Sequence, residues 1–423
     1  MINHPDSYQI LEMDEVYDDL GSVIVKRSGE IISFAKELVK CPSLSGQEGE
    51  VSQLIIKKME QSVFDETFID RVGNVVGILR GNGEGEHLLL NGHSDHVPPG
   101  DMIDPYSAAT KNGAEFGVDD EVIYGRGTCD MKSGVACMVM AGAIIKEMNV
   151  SLKGDLIITA SVLEDASPGH LGTRCLLEED GLKPHYAVIG EPSNLELSLG
   201  NRGSAILKAT IQGKSCHASM PDKGINAIYS ASRFISQIQD VSKSLPKHNI
   251  LGKPSMAITD IRVEPGYPNV IPNRCVLTID TRLVPNFSSN EFVQQIKTTM
   301  DTLKAKDDSF DGAINIDNVK LKSYTGFDLE AKAVQQPFFT EYKERIVKRG
   351  IEAIKRVRGS NPPIKYWQFG TDGGFFFNKG IPTIGFGPGD EKFAHTSSEH
   401  IKINDLIEAV KVYSSLAIEF CMG

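Results

Sequence analysis

Leu88-Leu-Leu-Asn-Gly-His93-Ser-Asp95-His96 is the stretch of sequence that decides the fold. Its apolar start indicates a strand, and the strand ends abruptly in polar and charged residues. In α/β proteins, ligands bind at the carboxyl ends of parallel strands, so His93 lies where a site is expected. A polar strand end with an ordinary surface histidine would give the same local pattern.

Two later strands end in a similar way. The predicted strand Asp155–Leu163 runs into Glu164 and Asp165, and the predicted strand Tyr186–Ile189 is followed closely by Glu191. Strands that alternate with helices indicate a mostly parallel sheet covered by helices, so the predicted class is α/β. Further elements predicted here are a helical opening of about 35 residues, the helices Gly29–Val39, Glu48–Gln61 and Met131–Met148, and the strands Asn74–Leu79 and His87–Leu90.

The pattern changes near Gly203. From there the order of predicted elements is βαββαβ, which is the signature of a compact, ferredoxin-like α+β unit. These elements are the strands Ala205–Gln212, Met256–Val263, Cys275–Leu283 and Ile314–Lys322, and the helices Gly224–Val241 and Asn290–Lys306.

The simplest architecture is a discontinuous catalytic domain with a smaller domain inserted into it. We expect the catalytic domain to comprise residues 1–201 and 325–423, and the inserted domain to comprise residues 202–324. The return to the first domain is predicted by an aromatic, loop-like segment at Tyr324–Thr340, a helix at Glu341–Val357 and a buried strand at Ile381–Phe386.

Composition excludes several classes of partner. The 423 residues carry a formal charge of −12 with acids and bases interspersed, which argues against nucleic acid or an anionic membrane as a partner. The first residues lack a signal-peptide pattern, and no apolar run is long enough to span a bilayer. Seven cysteines without CxxC spacing favour a reducing, cytoplasmic location.

Side chains that can bind metals are scattered over the chain, which favours a site assembled by the fold over a local metal-binding loop. Glu164 is the candidate general base, because metal-bound water has a pKa of about 7 and needs a nearby proton acceptor. Asp95, two residues after His93, can fix the orientation of that imidazole. The candidate ligands are His93, Asp130, Asp165, Glu191 and His395.

Several of these residues have structural alternatives. Asp130 directly precedes the predicted helix, so it could be a simple N-cap, although its two oxygens could also bridge two metals about 3.5–4 Å apart. Glu164 and Asp165 could be two exposed acids at a turn. The glycines around Arg126 match no phosphate-binding motif, so a nucleotide is discounted. Cys216 beside His217 could suggest a thiol nucleophile, but adjacent strand residues diverge.

The ordered motifs His93-x-Asp95, Gly-Arg-Gly-x-x-Asp130-Met-Lys, Glu164-Asp165, Gly-Glu191-Pro-Ser and Ala-His395-Thr resemble the di-zinc amidohydrolase/exopeptidase family. That family includes acetylornithine deacetylase, succinyl-diaminopimelate desuccinylase, aminoacylase and carboxypeptidase G. The segment 367–395 is most similar to its selenium-metabolism-linked hydrolase-like subgroup.

The resemblance implies two divalent metal ions, most often zinc, with cobalt or manganese as alternatives. One ion would be bound by His93 and Glu191, the other by Asp165 and His395, and Asp130 would bridge them. Glu164 would be the general base that later protonates the leaving amine. The resemblance also implies a cis peptide after Asp130.

For the inserted domain, the resemblance implies a lid that also forms a homodimer. His217 would reach the active site of the partner subunit and stabilise the oxyanion. Asn269 and Arg282 would contact the substrate, Arg282 by clamping a carboxylate, although a salt bridge within the lid suits Arg282 nearly as well. Gly370 and Thr371 would belong to the loop that holds the substrate's terminal carboxylate, or to a plain turn.

Two features depart from the family pattern. Position 165 is Asp where many members have Glu, and the loop that follows is longer than the usual glycine turn. That loop carries His170, which with His96 adds two imidazoles near the site, for which hydrogen-bonding roles are expected.

The function implied is metal-dependent hydrolysis of an amide bond in a small N-acyl amino acid or short peptide with a free carboxylate. Water shared by the metals would lose a proton to Glu164. A dipeptidase of the same family, a catalytically silent metal-stabilised binding protein, and an enzyme with a single metal at His93, Asp130 and Glu191 are the alternatives.

Overall fold

The structure, a computed structural model, describes residues 13–166 and 168–423. Of the predicted helical opening, residues 1–12 lie outside the described residues, as does Ser167 in the loop after Asp165. The helices in the described ranges are α1 (Met13–Lys26), α2 (Ser28–Lys40), α3 (Gly49–Gln61), α4 (Lys132–Glu147), α5 (Thr173–Glu178), α6 (Ala227–Ser244), α7 (Ser289–Lys306), α8 (Arg345–Arg358), α9 (Gly373–Asn378) and α10 (Ile403–Cys421).

The strands of the described residues are distributed over four sheets. In chain order they are β1 (Glu66–Ile69), β2 (Val75–Leu79), β3 (Leu88–His93), β4 (Ala109–Asn112), β5 (Glu121–Tyr124), β6 (Leu156–Ser161), β7 (Tyr186–Ile189), β8 (Leu197–Asn201), β9 (Gly203–Gln212), β10 (Ser255–Glu264), β11 (Arg274–Leu283), β12 (Asp311–Ile316), β13 (Asn318–Lys322), β14 (Asp328–Lys332), β15 (Val334–Gln335), β16 (Phe338–Phe339), β17 (Ile364–Trp367), β18 (Thr383–Gly385) and β19 (His400–Lys402).

The large sheet has the order β1-β2-β6-β3-β7-β18-β8-β16, with β17 pairing to β8. Its middle four strands, β6, β3, β7 and β18, are parallel, while β1, β2 and β16 are joined antiparallel at the flanks. Helices pack on both faces of this sheet through separate apolar clusters. The α/β class with a mostly parallel sheet is therefore confirmed.

Helix α4 positions the residue that precedes it. Its Ala, Gly, Val and Met side chains are buried from Lys132 to Ile145, as expected for a helix that is apolar all round. Gly134 allows the helix to lie close to the end of β7, because a Cβ there would come 2.8 Å from the carbonyl oxygen of Gly190. The start of α4 is thereby held beside the carboxyl edge of the sheet.

The inserted unit, which runs from β9 to β12 (residues 203–316), has the predicted βαββαβ order. Strand β9 is followed by α6, β10, β11, α7 and β12, and the sheet order is β10-β11-β9-β12. Along β11 buried residues alternate with half-exposed ones, because one face of the sheet packs against α6 and α7 while the other faces outward.

Two predictions after α7 are wrong. The single strand Ile314–Lys322 is two strands in different sheets, because residues 204–206 of β9 pair with residues 333–335, so the chain after Asp317 leaves β9 and pairs with β14. The segment Tyr324–Thr340 is not a loop. It contains β14, which pairs with β13 in a hairpin, and β15 and β16, which join β9 and β8.

The domain boundaries at 201/202 and 324/325 stay a prediction. Strand β9 begins at Gly203, and β15, which lies after residue 324, still pairs with β9. Among the residues that the structure describes, none of the helices has the length and apolar character needed to traverse a lipid bilayer.

Candidate active site

The candidate ligands meet at the carboxyl edge of the parallel strands. His93 is the last residue of β3, Asp165 follows β6, and Glu191 follows β7. Asp130 precedes α4 across a cis peptide with Met131, as expected. His395, in the loop before β19, completes the cluster. Residues that are distant in sequence therefore converge because neighbouring parallel strands end at one edge.

The first group consists of His93, Asp130 and Glu191. Nε2 of His93 lies 3.0 Å from Oδ1 of Asp130 and 3.6 Å from Oε1 of Glu191. All three residues are buried, with exposed fractions of 7% or less. One donor atom from each lies within 4.8 Å of the others, which is compact enough for a single metal ion.

The second group consists of Asp130, Asp165 and His395. Nε2 of His395 lies 3.1 Å from Oδ2 of Asp130 and 3.3 Å from Oδ1 of Asp165. Asp130 therefore faces a different imidazole with each of its two oxygens. His93, Glu164 and Asp165 form a third such group, so Glu164 lies within the same cluster.

The donor set fits divalent cations. Imidazole and carboxylate ligands suit zinc and similar ions. Oδ2 of Asp165 is buried without a hydrogen-bond partner, which is costly unless a cation accompanies it. Each group offers a ligand atom from three residues and leaves room for water or substrate, the pattern of catalytic rather than structural sites.

Electrostatics agrees with this assignment. Burial and the charge of Asp130 raise the pKa of Glu191 and of Asp165. Hydrogen bonds to Asp130 and Asp165 raise the pKa of His395 to about 10. The acids therefore outnumber the nearby positive charges, and bound cations would compensate them.

Asp95 orients His93 chiefly through its backbone. Nδ1 of His93 lies 3.0 Å from the carbonyl oxygen of Asp95 and 3.5 Å from its Oδ1. Donation from Nδ1 leaves Nε2 directed at Asp130, which fixes the tautomer needed for metal binding.

Buried side chains accept four successive amides of the turn that carries Glu164. The amide of Val162 donates to Asn74 Oδ1 at 3.0 Å, and the amide of Leu163 donates to Glu48 Oε1 at 3.1 Å. The amides of Glu164 and Asp165 donate to the two oxygens of Asp95 at 3.2 and 3.0 Å. Leu163 itself has a φ of 63°, an unfavourable conformation that these contacts hold in place.

Arg126 and Glu399 form a buried ion pair that the sequence interpretation missed. Oε1 of Glu399 accepts the amides of Cys129 at 2.9 Å and Asp130 at 3.1 Å, while its other oxygen pairs with Arg126. The pair thus fixes the backbone at Asp130. Arg126 lies within a motif quoted above and Glu399 lies just beyond another, but only the fold brings them into contact.

Glu164 lies on the wall of a cavity of about 360 Å³. Burial raises the pKa of Glu164 well above its usual range, and the charges of Asp372, Asp165 and Asp95 add to the increase, while His93 opposes it. A carboxyl group with a raised pKa can both accept and return a proton near neutral pH. Also lining the cavity are Asp130, Asp165, Pro168, Glu191, Ser204, Ile206, Asp280, Arg282, Gln335, Phe369, Gly370, Glu391, Ala394 and His395.

Two of the four predicted substrate contacts line this cavity. Arg282 does so while its Nε lies 3.0 Å from Oδ1 of Asp280, so it also makes the salt bridge that was its alternative. Gly370 lines the cavity as well. Thr371 is buried instead, where its hydroxyl donates to Asn201 and accepts the amide of Gly373.

His217 and Asn269 are not among the residues that line the cavity of this chain. Both are exposed, and they are neighbours in the inserted unit, since the amide next to His217, that of Ala218, donates to the Asn269 carbonyl. Nδ1 of His217 lies 2.7 Å from Oγ of Ser219. Within one chain, these two residues are therefore apart from the metal cluster.

The two additional imidazoles are hydrogen-bonded, as expected. Nε2 of His96 accepts the Ser43 amide at 2.9 Å, and burial, with a contribution from Lys132, lowers the pKa of His96 to about 4. Nε2 of His170 accepts the Gln336 amide at 3.1 Å, and Nδ1 lies 2.9 Å from Oδ1 of Asp372.

Comparison with known proteins gives relatives along nearly the whole chain. The uncharacterized protein YgeY of Escherichia coli K12 is 30% identical over 397 residues, covering 92% of this chain and 94% of that protein. The acetylornithine deacetylase of Myxococcus xanthus is 26% identical and covers 86% and 88%. The crystal structure of aminopeptidase PepT from Bacillus cereus superposes with a TM-score of 0.71 at 20% identity, covering 93% and 98%.

The resemblance inferred from the motifs is thus confirmed at the level of the family, while the likeness to one subgroup stays a prediction. A family model described as peptidase family M20/M25/M40 matches residues 89–419. That match spans β3 to α10 and includes every candidate ligand. The chain belongs to peptidase family M20/M25/M40.

Proposed function

We propose that the protein hydrolyses the amide bond of a small N-acyl amino acid or short peptide that has a free carboxylate. The observation that carries the proposal is the position of Asp130, which faces His93 with one oxygen and His395 with the other. A base on the cavity wall, Glu164, completes the arrangement. The family description and the deacetylase relative support amide hydrolysis.

Each group of ligands would hold one divalent ion, with His93 and Glu191 on one side, Asp165 and His395 on the other, and Asp130 between them. When bound, the ions would polarise the substrate carbonyl and lower the pKa of water at the site. Glu164 accepts the proton of the attacking water at a carboxylate oxygen. It then delivers that proton to the departing nitrogen.

The far wall of the cavity would bind the substrate. Arg282 presents a guanidinium to the cavity and can pair with a carboxylate by exchanging part of its contact with Asp280. Gly370, which also lines the cavity, offers backbone close to the bound molecule. Asn269 and Thr371 are proposed as substrate contacts only because of the family resemblance.

The metal is proposed to be zinc, with cobalt or manganese as alternatives. Two His–carboxylate groups with a shared Asp suit zinc best among common ions. The test is elemental analysis after extensive dialysis, with expected binding of two ions per chain. One tightly bound ion would favour the single-metal alternative.

An activity screen tests the function. N-acetyl-ornithine, N-acetyl-methionine and simple dipeptides are offered with zinc, cobalt or manganese, and deacylase and dipeptidase are separated by which substrates turn over. Glu164→Ala is expected to abolish turnover while two metals still bind, and the exposed Glu341→Gln serves as the charge-matched control. Equal inactivity of wild type and Glu164→Ala would favour the silent binding protein.

The protein is further proposed to be a homodimer through the inserted unit, with His217 completing the partner's site. His217 is exposed and lies outside the cavity of its own chain, so it is accessible to another copy. Mixing the inactive variants Glu164→Ala and His217→Ala tests this directly. Mixed dimers keep one complete site, so about a quarter of wild-type activity should return. No recovery, or full activity of a monomer, would contradict it.

A cytoplasmic location is proposed from the thiols. All seven cysteines are free, and six of them are buried. Free thiols in this number suit a reducing compartment. Fractionation of the native host would test the location.

A further inference from the structure

Gln335, which no motif singled out, is hydrogen-bonded to the proposed base. Its Nε2 donates to Oε1 of Glu164 at 2.7 Å, and its side chain lines the cavity. Gln335 belongs to β15, where it pairs with Ser204 of β9. The inserted sheet thus presents an amide donor to a carboxylate that belongs to the large sheet.

The atypical loop after Asp165 secures the backbone next to Gln335. Nε2 of His170 accepts the amide of Gln336, so the ring proton is on Nδ1 and is donated to Asp372. Asp372 also accepts the hydroxyl of Thr173. This chain of hydrogen bonds is buried at His170 and Asp372, where it is expected to be rigid.

Gly370 leaves room for the Gln335 side chain. A Cβ at Gly370 would collide with Oε1 of Gln335 and lie 2.8 Å from its Cδ. Any larger residue there would push the amide away from Glu164. Three separate features therefore place the Gln335 amide: the pairing with β9, the contact of His170 with Gln336, and the gap at Gly370.

We propose that Gln335 is a positioning residue that fixes one oxygen of Glu164, and that the loop carrying His170 holds Gln335 in place. The donor occupies Oε1, so Oε2 is the oxygen left to exchange the proton with water and the leaving nitrogen. The proposal rests on the function proposed above and names a residue that acts through the base rather than on the substrate.

The main test separates positioning from substrate binding. Gln335→Met keeps the length of the side chain but removes the donor. We expect kcat to fall about 10- to 100-fold, with KM and metal content within about twofold of wild type, as for a misplaced catalytic group. Gln295→Met, at an exposed position on α7, is the matched control and should leave kcat unchanged.

Three further variants test how the Gln335 amide is held in place. Gly370→Ala should lower kcat in the same way, because the added methyl displaces the amide. His170→Ala should also lower kcat, whereas His170→Gln should restore most of it, because an amide oxygen can accept the Gln336 N–H. If the kcat of His170→Gln is no higher than that of His170→Ala, the loop does not hold Gln335 in place.

A double variant decides whether Gln335 acts through Glu164. Because Glu164→Ala is itself expected to be inactive, the readout is the melting temperature: the losses of the two single changes should not add in the double variant. A raised KM with unchanged kcat, loss of metal, or fully additive losses would overturn the inference. If the wild type turns over nothing, the proposed function fails, and the melting temperatures alone still decide whether the two side chains are coupled.

Discussion

Asp130 is the one side chain on which both groups of candidate ligands depend, since each of its oxygens faces a different imidazole. Asp130→Asn replaces one oxygen by an NH₂ group, which cannot bind a cation. We expect metal content to fall from two ions to fewer than one per chain, measured by elemental analysis after dialysis. Asp280→Asn, in the same cavity but outside the ligand groups, is the control. Two ions retained by Asp130→Asn would refute the bridging role.

His96 gives the stability a pH dependence of defined sign. The folded pKa of His96 is about 4, against about 6.5 in an unfolded chain. Between these values only the unfolded state takes up the proton, so stability is full above pH 6.5 and falls as the pH drops towards 4. The free energy of unfolding should fall by up to about 3 kcal/mol more in wild type than in His96→Gln, measured by urea titration across this range. Parallel curves would contradict the assignment.

The residues that could be predicted from sequence are those whose role follows from position along the chain. His93 and Glu191 follow apolar strands, and parallel strands end at a common edge, so the pattern and the topology together place them. Glu399 and Gln335 act through contacts with residues far away in sequence. Nothing in their local sequence distinguishes them from ordinary polar residues of a loop and a short strand.

At the scale of elements, the buried ion pair of Arg126 with Glu399 links the segment before α4 to the segment before β19. Removal of one partner leaves a buried charge without compensation. Either Arg126→Met or Glu399→Gln should destabilise the fold by about 3–5 kcal/mol, measured by urea unfolding. The double variant should recover part of that loss, because no buried charge remains. Losses of less than about 1 kcal/mol for both single variants would show that the pair is not structural.

Several of the strongly patterned elements were predictable. The helix α4 and the inserted βαββαβ order follow from periodicity alone. The split between β12 and β13 did not, because Ile314–Lys322 reads as one continuous strand, and its pairing with β9 ends only where the later residues 333–335 take its place. Helix α10 was not predicted, although it packs on α4 and α8. The two-residue strands β15 and β16 are too short to leave a pattern.

At the scale of the whole molecule, the β13–β14 hairpin ties the segment after the inserted sheet to the first part of the chain. The ring of Tyr324 covers Gly49 and Gly73, and its hydroxyl donates to the Gly73 carbonyl at 3.2 Å. Tyr324→Ala should lower the free energy of unfolding by about 2 kcal/mol, measured by urea denaturation, because the ring is only partly buried. Tyr324→Phe, which loses only the hydroxyl, should cost about 1 kcal/mol. Equal losses would show that the ring contributes nothing.

The turn that carries Glu164 is held by hydrogen bonds from its four backbone amides, Val162 to Asp165, to buried side chains. It therefore has little room to change shape for a different substrate. The opposite wall, which includes Ser204, Ile206 and Arg282, belongs to another sheet and makes none of these contacts. Side chains of this wall can therefore change without disturbing the turn, as long as β9 keeps its pairing with Gln335, whose amide donates to Glu164. New specificities in such a scaffold should arise by substitutions on β9 and β11, while the reaction chemistry is inherited intact.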